Sequence, residues 1–229
     1  MNNQLTSGRH CPVCNTDHDA FSSFGHPVRE DAGCPNCHSL ERHRLVWFYF
    51  QRHTDLFDGH PKRMLHIAPE KSFVSRLGSA LGEGYLTADI QSGAAMAQID
   101  ITEVPYPEET FDVIYCSHVL EHVSDDLKAM SELCRVLKPN GWAVLLVPII
   151  TDKTHEDKNV TDPLERARLY GQSDHVRAYG PDYVDRLTAA GFTVRTFLPQ
   201  DLATPAEITL YGLTPPSGDI FFCRKAVTH

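Results

Sequence analysis

The stretch "MLHIAPE", residues 64–70, decides how the chain is read. A short apolar run leads into a turn, "APE", that carries a proline and a carboxylate but no glycine. Such a run, closed by a breaker, suits a strand buried on both faces. Outward from it the pattern alternates. "KSFVSRLGSAL" (71–81) has helical spacing up to the "GEG" turn, and "YLTADI" (85–90) is a second strand. "FDVIYCS" (111–117) is a third, followed by the helix "DDLKAMSELCRVL" (125–137). After the turn signal "KPNG" comes "WAVLLVP" (142–148), continuously apolar. "PDYVDRLTAAG" (181–191) reads as a helix ended by Gly191, and "FTVRTFL" and "GDIFFCRKA" as the last two strands. Strands alternating with helices imply an α/β fold with a parallel sheet and right-handed crossovers. Such sheets bind ligands outside the carboxyl ends of their strands.

Asp89 ends the second strand, about 20 residues past the first turn, where a carboxylate accepts hydrogen bonds from ribose hydroxyls. That position does not separate a nicotinamide enzyme from other adenosine binders. The turn does help. A pyrophosphate must approach the backbone closely, which is why dinucleotide loops need glycines. Ala68, Pro69 and Glu70 remove one N–H and add a negative charge. A diphosphate is repelled there, and a ligand with a cationic amine or sulfonium, such as S-adenosylmethionine, is welcome.

The chain has 229 residues, 41% hydrophobic and 22% charged, which suits an ordinary soluble globular protein. Its longest apolar run, "WAVLLVPII" (142–150), is too short to span a bilayer, which needs about 20 residues. The amino terminus lacks the apolar core of a secretory signal, so the expected location is the cytoplasm, with no membrane partner. A net charge of −9 argues against a large nucleic-acid surface. "ERHRLVWFYFQRH" (41–53) is the one candidate basic patch, and most of it reads as a helix with a buried aromatic face.

Cys11, Cys14, Cys34 and Cys37 form "CPVC" and "CPNC", two knuckles separated by 19 residues. Each tight turn aims two thiolates at one point, which suits tetrahedral zinc. Two disulfides, or a redox dithiol, are the rival readings, disfavoured by a reducing cytoplasm and by the pairing of two motifs. His10, His26 and His38 are near enough in sequence to replace a ligand. A closed four-thiolate shell leaves no open position, so the zinc would fold residues 1–45 and do no chemistry. Cys116, Cys134 and Cys223 lie in apolar surroundings and read as packing residues.

"IDITEVPYPEETFDVIYCSHVLEHVSDDLKAMSELCRVLKPNGWAVLLVP" (99–148) resembles the class I S-adenosylmethionine-dependent methyltransferases, in particular the broad type-11 group. "PYPEETFD", "VLEH" and "RVLKPNG" carry the likeness, which covers roughly residues 62–225. The leader "CPNCHSLERHR" joined to "LHIAPE" is similar to a bacterial subfamily with a zinc-knuckle front end. The resemblance implies a Rossmann-like, seven-stranded, mostly parallel sheet with helices on both faces over residues 46–229. It implies that Asp89, with Ile90 beside it, holds the ribose and that Asp100 with Ile101 meets the adenine. It also implies that Ser117 and His118 line the methyl-donor pocket. The first motif departs from the family, with His66, Ala68 and Glu70 where most relatives have an acid and glycines. Glu70 is then a candidate partner for the donor's amino group, or simply a first-turn residue favoured by the helix dipole.

"SHVLEH" places His118, Glu121 and His122 in the H-x-x-E-H pattern of inverzincin proteases. Its position directly after a buried strand argues against a protease. Some quinone-precursor and small-RNA O-methyltransferases carry a similar E-x-x-E-H element that binds a divalent cation. Here His118 stands in place of the first Glu, which disfavours a hard, oxygen-preferring ion. Residues 151–180, "TDKTHEDKNVTDPLERARLYGQSDHVRAYG", follow a central strand and form a polar insertion over the acceptor side. Tyr170, Asp174, His175, Arg177 and Tyr179 are candidates for substrate contact; a solvated loop with a short helix at 163–170 is the plain alternative. His118 and His175 are candidate general bases. The expected function is methyl transfer to a small-molecule acceptor at O or N. The rivals are an RNA base methyltransferase with a zinc finger, and a non-catalytic zinc-knuckle module on a vestigial cofactor fold.

Overall fold

The computed structural model describes residues 8–226. The leader is two antiparallel hairpins, β1 (Arg9–Cys11) with β2 (Thr16–His18) and β3 (Ser22–Phe24) with β4 (Arg29–Gly33). Helix α1 (Glu41–His53) follows. It buries Leu45 through Phe50 together with Arg44, whose guanidinium donates to the carbonyls of Ala32, Ser39, Tyr211 and Gly212. A fully buried cation held by four carbonyls is a structural tie. The one candidate basic patch of the sequence is therefore largely a core element.

The main sheet contains β5 (Met64–Ile67), β6 (Tyr85–Asp89), β7 (Ala97–Gln98), β8 (Phe111–Ser117), β9 (Leu137–Leu146), β12 (Phe192–Phe197) and β13 (Ile220–Lys225). Its order is β12-β13-β9-β8-β5-β6-β7. Neighbours from β9 to β7 run parallel, and β13 enters antiparallel beside β9. This is the expected seven-stranded, mostly parallel, Rossmann-like sheet. Helix α2 (Lys71–Leu81) links β5 to β6, and α3 (Asp126–Val136) links β8 to β9. The two crossovers move in opposite directions from β5, so right-handedness puts their helices on opposite faces. β5, buried at all four residues, is the switch point: the chain goes to β6 on one side and returns to β8 on the other.

The "KPNG" turn signal appears as a wide bulge inside β9. Phe111 pairs with Leu137 and Val113 with Trp142, so Lys138–Gly141 loop out of register. A Cβ at Gly141 would lie 2.7 Å from the Asp112 carbonyl, which explains glycine there. The insertion is a two-stranded ribbon, β10 (His155–Glu156) against β11 (Arg177–Ala178), holding α4 (Pro163–Tyr170) between its strands. Helices α5 (Tyr183–Ala189), α6 (Pro199–Leu202) and α7 (Pro205–Tyr211) follow in the chain.

Two compact units emerge. One takes in the chain up to His60, with Glu70–Arg76 and Phe197–Asp219; the other takes in Pro61–Pro69, Leu77–Thr196 and the chain from Ile220. The division expected at residue 45 falls inside α1. The reason is visible in Arg44, which binds the hairpins and the α7 carboxyl end into the same unit. Among the described residues no helix is long and apolar enough to cross a membrane.

Candidate functional site

A cavity of ≈ 450 Å³ opens at the carboxyl ends of β5 and β6, at the switch point. Ile67 and Ala68 close one side; Asp89 and Ile90 follow from β6. Asp100, Ile101 and Thr102 come from the loop after β7, and Val119 and His122 from the segment after β8. The chain turns sharply at two of these strand ends through left-handed residues, Ala68 (φ 47°) and His118 (φ 56°). Each costs about 1–2 kcal/mol in a non-glycine residue. Each is held: the Ala68 N–H donates to the Ala88 carbonyl at 2.8 Å, and the His118 N–H to the Leu146 carbonyl at 2.9 Å. The acidic residues are fixed by local turns. Asp89 Oδ1 accepts the Gln91 N–H at 2.8 Å, and Asp100 Oδ1 accepts both the N–H and hydroxyl of Thr102 at 2.8 Å. Two anchored carboxylates beside isoleucine and valine walls suit a flat apolar ring flanked by hydroxyl or amine donors.

Of the residues expected to hold a cofactor, Ala68, Asp89, Ile90, Asp100 and Ile101 line this cavity. His66 does not. It is fully buried within the sheet, with Nδ1 2.7 Å from the Tyr85 hydroxyl and its ring against Tyr115. Glu70 is not among the residues that line the cavity, and its carboxylate lies 4.0 Å from His43. Ser117 is buried, and its hydroxyl finds no hydrogen-bond partner.

Next to this cavity lies a second, of ≈ 460 Å³, which shares Ser124 and Asp125 with it. Glu156, Asp157, Lys158 and Arg166 bring the insertion to its wall. The insertion's candidate residues divide between two roles. Tyr170 is buried and its hydroxyl accepts the Asp157 N–H. Arg177 lines the second cavity but is 2% exposed, its guanidinium committed to the carbonyls of Leu120, Val123 and Ser124 and to Glu156. Tyr179 is buried, and its hydroxyl donates to Asp126 at 2.6 Å. Arg177 and Tyr179 brace the insertion against the segment after β8, and Tyr170 ties the insertion to itself through Asp157 and His175. Burial and the neighbouring Asp126 push the Tyr179 phenol well up. Burial alone would raise the Asp126 carboxyl, but hydrogen bonds from Arg186 and Tyr179 and the charge of Arg177 outweigh it and hold it low.

His175 is buried too, and does not line either cavity. The Arg177 brace brings it beside Glu121 and His122, with one ligand-type atom from each of the three within 4.8 Å of the others. His118 reaches Glu121 at 3.3 Å, and His122 reaches the exposed Asp174 at 3.3 Å. His122, read in the sequence only as part of "SHVLEH", is the imidazole that faces the first cavity.

In the leader, the four cysteine sulfurs lie within 4.8 Å of one another. Cys11–Cys37 and Cys14–Cys34 are each 3.6 Å apart, and none is in a disulfide. A tetrahedron with 2.3 Å bonds has sulfur–sulfur edges of about 3.8 Å. The two knuckles close alike: the Asn15 N–H donates to the Cys11 carbonyl and the His38 N–H to the Cys34 carbonyl, through left-handed Asn15 and His38. Ser39 and Thr16 hydroxyls lie against the sulfurs. The Cys37 thiol is drawn down to about 4, chiefly by the hydrogen bond from Cys11, whose own thiol is pushed up. His10 pairs with Asp17, and it is His18 that approaches Cys34, at 3.4 Å.

Residues 60–145 match a family model described as a methyltransferase domain. The chain is 32% identical over 85 residues to a tRNA U34 carboxymethyltransferase of Campylobacter curvus, covering 36% of this chain and 28% of that one. It is 34% identical over 85 residues to a demethylmenaquinone methyltransferase of Bacillus licheniformis, covering 37% and 30%. The chain thus spans about a third of the length of these relatives. Among solved structures, the 1,6-didemethyltoxoflavin-N1-methyltransferase of Burkholderia thailandensis, with bound S-adenosylhomocysteine, shares the fold: TM-score 0.51, 13% identity, covering 82% of this chain and 78% of that one.

Proposed function

We propose that the chain transfers a methyl group from S-adenosylmethionine to a small acceptor, at oxygen or nitrogen. The observation that carries this reading is the cavity at the switch point, with Asp89 and Asp100 anchored at its mouth between isoleucine walls. Asp89 accepts the ribose hydroxyls. Asp100 and the backbone at Ile101 meet the adenine, and Ile90 covers its face. The match of residues 60–145 to a methyltransferase domain supports the donor. So does the S-adenosylhomocysteine in the toxoflavin enzyme of the same fold.

Transfer is an in-line displacement at the sulfonium methyl carbon. The leaving thioether is neutral and needs no acid, so the protein aligns the two reactants and excludes water. A protonated acceptor must also lose its proton. Neither His118 nor His175 lines the two cavities; His118, a third exposed and 3.3 Å from the buried Glu121, is the candidate base, and His175 is buried. The charged second cavity, walled by the insertion, takes the acceptor. Its small size class is supported by α1, whose aromatic groups and Arg44 guanidinium are buried and whose exposed Arg52 is paired with Glu207 rather than offered to a nucleic acid.

The four cysteines hold a structural zinc ion. Sulfur spacings 0.2 Å short of a zinc tetrahedron's support it, as do the hydroxyls placed to stabilise thiolates.

Calorimetric titration with S-adenosylmethionine tests the donor. One site per chain is expected, weakened at least about tenfold in Asp89→Asn by loss of charge-assisted hydrogen bonds. Absence of heat, or unchanged affinity in the variant, would remove the reading. His118→Ala should keep donor affinity and lose turnover of labelled methyl groups.

A further inference from the structure

We infer that Glu121, His122 and His175 form a binding site for a divalent first-row transition-metal ion on the rim of the donor cavity. Three observations converge on it. First, one ligand-type atom from each residue lies within 4.8 Å of the other two. Donors sharing one ion with bonds of about 2.1 Å stand about 3–4.2 Å apart, so a closure of tenths of an ångström completes the set.

Second, Glu121 and His175 are 1% and 3% exposed, yet Glu121 Oε2 and His175 Nε2 are buried without any hydrogen-bond partner. His175 Nδ1 lies 2.9 Å from the Tyr170 carbonyl. A carbonyl only accepts, so Nδ1 carries the proton and Nε2 presents a lone pair. A buried lone pair and a buried carboxylate oxygen are both acceptors. A cation satisfies the two together.

Third, the surroundings are those of imidazole ligands. A metal-bound histidine generally gives its other N–H to a carbonyl or carboxylate. His175 has the Tyr170 carbonyl, and His122 has Asp174, 3.3 Å from its Nδ1. Arg177 fixes the geometry by gripping the carbonyls of Leu120, Val123 and Ser124 around the Leu120–His122 turn.

Two imidazoles and one carboxylate favour Zn, Mn, Fe, Co or Ni over Mg or Ca. Three protein ligands leave coordination positions open. Because the cavity that His122 lines shares Ser124 and Asp125 with the second cavity, an oxygen of the acceptor is the class of ligand that suits an open position. That last use rests on the transferase reading; the ion's binding does not.

The test uses full-length protein whose cysteines are first filled with one equivalent of zinc. Mn²⁺, poorly held by thiolates, is then titrated and the free ion followed by electron paramagnetic resonance. Wild type should bind one Mn²⁺ per chain. Glu121→Gln and His175→Ala should each weaken binding at least about tenfold, and Asp174→Asn, at an exposed position, several-fold. His122→Ala, on a partly exposed side chain, keeps the test decidable should the buried variants fail to fold. No Mn²⁺ bound at millimolar concentration would overturn the site and leave a bridging water as the partner of both buried acceptors. Equal affinity in folded variants would overturn it as well. Neither donor nor acceptor enters the measurement, so a failed site and a failed transferase reading are told apart.

Discussion

The four-cysteine cluster and the Glu121–His122–His175 cluster pose the same physical problem and reach it by different routes. Both gather electron-pair donors that repel one another until a cation joins them. In the first, each pair of ligands is three residues apart, and the turn that aims them closes locally through the Cys11 and Cys34 carbonyls. In the second, adjacent Glu121 and His122 wait for His175, brought in by a ribbon and by the buried Arg177. A site made by local turns is written in spacing. A site made by tertiary bracing is not.

The largest expected effect bears on the first cluster. Cys34→Ser should abolish stoichiometric zinc and lower the unfolding temperature sharply, since structural zinc in small modules contributes about 10–16 kcal/mol of apparent binding energy. Metal analysis with thermal unfolding checks it; retained zinc would put the cysteines in another role.

Next comes the brace. Arg177→Met leaves buried carbonyls and Asp126 short of a partner and should cost about 3–5 kcal/mol. Its denaturation midpoint should fall, and Mn²⁺ binding should weaken although no ligand was touched. Undisturbed metal binding would mean the second cluster is as local as the first.

Acid sharpens the same contrast by a smaller amount. Asp126 has a folded pKa held below its ordinary value, so its contribution is complete above the unfolded value of about 3.9 and is lost as pH falls through the folded one. Stability of the wild type should therefore drop below about pH 4. Asp126→Asn should flatten that limb in denaturation midpoints measured against pH.

The smallest effect is at the glycine-free turn. Ala68→Gly relieves a left-handed alanine but adds chain entropy, two terms of about 1 kcal/mol each with opposite sign. Stability should change by less than about 1 kcal/mol, with donor affinity retained.

What the sequence disclosed follows the same division. Helices α1, α2 and α4 and strand β8 have the limits their spacing predicts, because periodicity and caps are local. Gly171, left-handed at φ 89°, ends α4 as a glycine cap should. β7 escaped notice since two residues carry no period. Asp89 was legible because strand ends in a parallel sheet gather at one edge, whereas Asp100, in the loop after β7, came only from the family resemblance. Tyr170, Arg177 and Tyr179 were read as substrate contacts because a dense mixture of aromatic and cationic residues looks alike on a binding surface and in a buried hydrogen-bonded brace. Only the direction of the side chains separates the two, and for Arg177 and Tyr179 that is set by partners over 50 residues away in sequence, Leu120 and Asp126. The pairing of Glu70 with His43 was illegible for a similar reason: His43 belongs to a helix that precedes the sheet.

The most direct trial of the whole account is a crystal grown with S-adenosylhomocysteine. The ribose hydroxyls should lie within hydrogen-bond distance of Asp89, with the adenine beside Asp100 and Ile101. Density for the nucleoside elsewhere, or a cavity closed by the protein's own side chains under saturating ligand, would contradict it.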